Sequence, residues 1–81
     1  MASLSISGKT LIKLAVKDGW EIRRRATHGV SLAKRFAGRT RVTVIPDSRA
    51  PLPDGTLAAI IGPKQMGIGR KGLEDWLRKY G

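Results

Sequence analysis

The residues best suited to chemistry are Arg23-Arg24-Arg25-Ala26-Thr27-His28-Gly29, a run of positive charge that ends on the only histidine in the chain. Guanidiniums stay charged and present a planar fork of donors that matches phosphate oxygens. An imidazole titrates near neutral pH and exchanges protons with a substrate. Together they suit metal-free RNA cleavage, in which a base removes the proton of a 2′-hydroxyl while cations stabilise a phosphorane-like transition state. DNA lacks that internal nucleophile, which makes RNA the natural substrate. On this reading His28 is the base and Arg23, Arg24 and Arg25 grip phosphate; the alternative is a surface or strand-end histidine without a catalytic task. Lys9, Lys13, Lys17 and Arg41 are further expected RNA contacts.

Composition points the same way. Sixteen Lys and Arg against six Asp and Glu give the 81-residue chain a formal net charge of +10. So much self-repulsion in one small domain is normally relieved by a polyanion, and nucleic acid is the first candidate. With no cysteine and one histidine, neither a disulfide framework nor a zinc site of the usual kind is available. No cofactor or metal is expected. No apolar run approaches the ~20 residues needed to span a bilayer, and the first residues lack the pattern of a secretory signal, so a cytoplasmic protein is expected.

A single domain over residues 1–81 must position these groups. Ser7 opens an amphipathic helix through Leu11, Ile12, Leu14, Ala15 and Val16, which Asp18-Gly19 stops. Lys9, Lys13 and Lys17 recur every four residues on its water-facing side. From Trp20 the period becomes two. Trp20 and Ile22 are expected to face inward and Arg23 and Arg25 outward, with Val30 and Leu32 inward on a second strand that starts near His28. After a hairpin at Phe36-Ala37-Gly38-Arg39, a third strand runs from Thr40 to Ile45, with Val42 and Val44 assigned inward and Arg41 and Thr43 outward. The proline-rich stretch 46–53 is a loop. A helix begins near Asp54-Gly55-Thr56 and ends at Gly62-Pro63, residues 64–69 read as a hinge-like connection, and a short final helix carries Leu73, Trp76, Leu77 and Tyr80 at i, i+3, i+4 and i+7. The expected architecture is an α+β two-layer sandwich, with helices on one face of a three-stranded antiparallel sheet and a polar second face carrying Arg23, Arg25, Ser31, Arg41 and Thr43.

Two phosphate-binding patterns fail on context. Ser7-Gly8-Lys9-Thr10 lacks the upstream glycine and buried strand of a P-loop, and Gly67-Ile68-Gly69-Arg70-Lys71-Gly72 has the spacing of a dinucleotide fingerprint without a strand leading into it. Asp47, Asp54, Glu74 and Asp75 are placed as capping and solvated acids.

The frame Ser7-Gly8-Lys9-Thr10-Leu11-Ile12-Lys13-Leu14, Asp18-Gly19-Trp20, Arg25-Ala26-Thr27-His28, Arg41-Val42-Thr43-Val44 and Leu52-Pro53-Asp54-Gly55-Thr56-Leu57 with Ile60 resembles the HicA family of toxins from type II toxin–antitoxin systems. The resemblance covers nearly the whole chain. It implies a double-stranded-RNA-binding-domain-like fold, an mRNA endonuclease (mRNA interferase) that stops translation, and neutralisation by a HicB-like antitoxin. The family's catalytic histidine maps onto His28, which the resemblance then makes the general base and acid, with Thr27 expected to orient His28 or the phosphate. Ala26 and Thr27 stand where the family usually has Gly and Ser, Gly29 where a second His is common, and Ile45-Pro46-Asp47-Ser48 lacks the histidine often found after the third strand. The acid that protonates the leaving oxygen is then a lysine, a tyrosine, water or His28 itself. The alternative is a non-catalytic double-stranded-RNA-binding module of the same fold, in which charge supplies the affinity.

Overall fold

A computed structural model describes residues 5–27 and 29–81. Its elements are α1 (Gly8–Lys17), β1 (Glu21–Ala26), β2 (Gly29–Phe36), β3 (Arg39–Ile45), α2 (Asp54–Ile61) and α3 (Gly69–Tyr80). The strands form one antiparallel sheet in the order β1-β2-β3. The helices cover one of its faces, and α1, α2 and α3 bury Leu11, Leu14, Leu57, Ile60, Leu73 and Trp76 against Val30, Leu32 and Ile45.

Local chemistry sets the ends of α1. The Ser7 hydroxyl accepts a hydrogen bond from the Thr10 backbone N–H at 3.1 Å, satisfying a donor that the helix itself cannot. Gly19, at φ 106°, turns the chain out of the helix in a conformation that side chains with a Cβ rarely adopt. Gly8 is required for a different reason: a Cβ there would collide with the Pro46 carbonyl, so the glycine lets the start of α1 lie against the loop that follows β3. The Lys9 N–H donates to Ser48 O at 3.1 Å across the same contact. This close approach is the role of the Gly-Lys pair that superficially suggests a P-loop.

The register of β3 overturns its expected orientation. Phe36 pairs with Arg39 across the two-residue connection Ala37-Gly38, so Leu32 pairs with Thr43 and Val30 with Ile45. Val30 and Leu32 face the helices, and their directly opposite partners must do the same. Thr43 and Ile45 are therefore buried, at 2% and 0% exposure, while Val42 and Val44 stand on the open face at 53% and 51%. The buried Thr43 hydroxyl donates to Gln65 Oε1 at 2.6 Å, which satisfies it.

A bulge overturns the alternation expected in β1. Ile22 pairs with Leu32 but Arg24, not Arg23, pairs with Ser31. The extra residue moves the rest of the strand by one position. Arg25 consequently opposes Val30, on the helix-covered side, instead of sharing the open face with Arg23. Ile22 is 37% exposed rather than core, because it lies on an edge strand whose six residues are all exposed, whereas Trp20, just before the strand, is buried.

The C-terminal helix is also not the short one. At 12 residues α3 exceeds α1 and α2, which have 10 and 8. Ion pairs support it at Arg70–Glu74 (3.7 Å) and Arg78–Asp75 (2.7 Å), with Arg78 and Lys79 in the last turn, where cations suit the helix dipole. The preceding residues 64–69 are tied down rather than hinge-like: Met66 is buried, and Arg41 Nη1 donates to Pro63 O at 2.8 Å and Gln65 O at 3.1 Å. Among the described residues no helix is long and apolar enough to cross a membrane.

Candidate nucleic-acid interface

His28 lies outside the described residues. Ala26 ends β1, Gly29 starts β2 and the two pair, so the connection between the strands consists of residues 27 and 28. Thr27 is exposed. The three arginines upstream diverge because of the bulge. Arg25 points toward α1 and the loop after β3, Arg24 opposes Ser31 on the open face, and Arg23 lines a cavity near the other end of the sheet.

Lys9 and Arg25 are brought together by an acid that the sequence reading places only as a solvated loop residue. Lys9 Nζ donates to Asp47 Oδ1 at 2.9 Å, and Arg25 Nη1 lies 3.8 Å from Asp47 Oδ2. The Lys9 hydrogen bond, chiefly, holds the Asp47 carboxyl below its ordinary value; burial opposes this, and the charges of Lys9 and Arg25 add to the lowering. Asp47 thus bridges the start of α1 to the end of β1. Nothing local in the sequence announces the contact, since its partners lie 38 and 22 positions away.

The basic stripe on α1 is not one continuous binding row. Lys9 is engaged by Asp47, Lys13 is exposed, and Lys17, at the far end of the helix, donates to Tyr80 O at 3.3 Å. Arg41 is half-buried on the helix-covered side of β3, its guanidinium bound to the carbonyls of residues 63 and 65 and packed beside Gly67. This placement gives Arg41 a structural task in the 62–67 turn, contrary to its expected outward position on the polar face.

A second polar cluster, missed in the sequence, closes the opposite end of the sheet. Lys34 Nζ donates to Asp18 O at 2.8 Å and to Asp18 Oδ2 at 3.0 Å, and the Tyr80 hydroxyl reaches Asp18 Oδ1 at 3.3 Å. Lys34 also lies 5.4 Å over the Phe36 ring, which in turn meets Trp20 edge-on. The ammonium, carboxylate and phenol join the end of α1, the middle of the sheet and the last turn of α3. Three of the other four acids act locally: Glu74 and Asp75 pair along α3, and Asp54 opens α2.

Comparison with known proteins found no matching family model, no matching curated protein and no matching solved structure.

Proposed function

We propose that the protein is a metal-independent endoribonuclease of the HicA type, with a double-stranded-RNA-binding-domain-like fold, that cleaves mRNA and thereby stops translation. The observation that carries this reading is the position of the lone histidine in the chain. In the sequence it comes three positions after the last of three consecutive arginines, Arg25, which shares a carboxylate with Lys9. The order α-β-β-β-α followed by a further helix agrees with what the resemblance implies, and the net charge of +10 suits a polyanionic substrate.

In the reaction, His28 takes the proton of a 2′-hydroxyl, whose oxygen attacks the adjacent phosphorus. The bond to the 5′-oxygen breaks and that oxygen receives a proton, leaving a 2′,3′-cyclic phosphate and a 5′-hydroxyl. Arg24 and Arg25 stabilise the charge that builds on the phosphoryl oxygens. Thr27 supplies a hydroxyl beside the base. An acidic HicB-like antitoxin neutralises the protein by complementing the basic surface.

The test is the chemistry of the product ends. RNA incubated with the protein in excess chelator should yield 2′,3′-cyclic phosphate and 5′-hydroxyl termini, and 5′-phosphate termini would contradict attack by the 2′-hydroxyl. Binding without any cleavage would favour the non-catalytic RNA-binding module.

A further inference from the structure

Near the end of the sheet away from the residue 27–28 connection, Gly19, Glu21, Arg23, Ala33, Lys34, Arg35 and Thr40 line an open cavity of about 420 Å³. We propose that this cavity is a second phosphate-binding site, which holds a backbone phosphodiester of the same nucleic-acid strand. Three observations converge on it.

The first is the bulge in β1, which leaves Arg23 as the extra residue between Ile22 and Arg24 and lets it line the cavity. The second is donor availability. Lys34 is already committed to Asp18, but Arg23 and Arg35 make no hydrogen bond or ion pair with any described residue, and Thr40, directly opposite Arg35 in the ladder, adds a hydroxyl. Two unengaged guanidiniums and a hydroxyl around one concavity suit a group with several anionic oxygens.

The third observation is what the lining lacks. It contains no aromatic or large aliphatic side chain, so nothing there stacks on a base or encloses one. Such a site reads backbone charge without sequence and suits a passing strand better than a mononucleotide. Arg23 precedes Thr27 by four positions, at most ~13 Å of chain, or up to about four nucleotides at about 3.4 Å each along a stacked strand. A phosphate held in the cavity would therefore fix the register of a strand whose scissile bond lies beside residues 27 and 28. Glu21 is the one acid in the lining, and its carboxylate weakens the site.

The choice of RNA as the strand rests on the ribonuclease reading, but binding is measured on RNA that cannot be cleaved through a 2′-hydroxyl. The probe is a labelled 2′-O-methyl RNA dodecamer, titrated at several salt concentrations, with circular dichroism confirming that each variant folds. Arg23→Gln and Arg35→Gln should each weaken binding by about three- to tenfold near 0.1 M salt and lower the slope of log K against log salt by about 0.7. Lys71→Gln, which removes the same charge from exposed α3, should change affinity less than twofold. Glu21→Gln should tighten binding more than Glu74→Gln does. Adenosine monophosphate should compete only at millimolar concentration. Arginine variants that bind like Lys71→Gln would overturn the site, and competition by the mononucleotide at micromolar concentration would overturn its assignment to a strand. Neither result depends on whether the protein cleaves RNA.

Discussion

Lys9 and Asp47 are 38 positions apart in sequence, yet the Lys9 ammonium donates to the Asp47 carboxylate at 2.9 Å. Asp47 also faces Arg25, so one acid couples the start of α1 to the strand that leads into the residue 27–28 connection. Because this environment lowers the Asp47 pKa, its stabilising effect is present above the ordinary carboxylate value of 3.8 and is lost as pH falls through the lower folded-state value. Asp47→Asn should lower the urea midpoint at pH 6, and the difference from the wild type should shrink as pH is taken below about 4. An undiminished difference at pH 2 would show that the carboxylate charge is not responsible.

Two glycines separate close approach from helix propensity. Gly8→Ala places a Cβ against the Pro46 carbonyl and should destabilise by about 1–3 kcal/mol or more. Gly55→Ala meets open space in α2 and should be neutral or stabilise by up to about 1 kcal/mol. Thermal or urea unfolding of the two variants checks both signs.

The orientation of β3 is tested by substituting neighbours in sequence. Val44→Thr changes an open-face side chain and should shift stability by no more than about 0.5 kcal/mol. Ile45→Thr puts a hydroxyl into the core and should cost about 2–4 kcal/mol. Equal effects would contradict the register.

Arg41 should act on stability and local order rather than on RNA. Its loss leaves the carbonyls of Pro63 and Gln65 without their charged donor, at about 1–2 kcal/mol. Arg41→Ala should therefore speed amide exchange in residues 62–67, while the neighbouring exposed Arg39→Ala should not.

Much of the fold is legible in local signals. The cap at Ser7, the stop at Asp18-Gly19, the break at Gly62-Pro63 and the 3.6-residue stripe of α3 each depend on residues close in sequence. What alternation alone misplaces is β3, where Val42 and Val44 have the same parity as each other but not that of the core. The hairpin held the missing information, because two connecting residues at Ala37-Gly38 force Leu32 onto Thr43 and so decide which side faces in. The bulge at Arg23 has no comparable local signal, and it redistributes the three arginines. The Asp47 and Asp18 clusters arise only when distant segments meet, as do the tasks of Arg41 and Lys34.

The divergence of the arginines predicts distinct kinetic effects. Arg25→Gln, at the connection end, should lower the single-turnover cleavage rate by about tenfold or more, since it removes a donor to the developing phosphoryl charge. Arg23→Gln should leave that rate near wild type at saturating protein and raise the protein concentration needed for half saturation. Identical effects of the two changes would contradict a division of labour along β1.

The most direct measurement compares wild type with His28→Ala on the same RNA, in excess chelator, with cleavage and binding followed in parallel. Loss of cleavage by at least about a hundredfold, with RNA affinity retained within a few-fold, is the predicted result. Equal cleavage by the two proteins would contradict the role of His28, and with it the proposed active site.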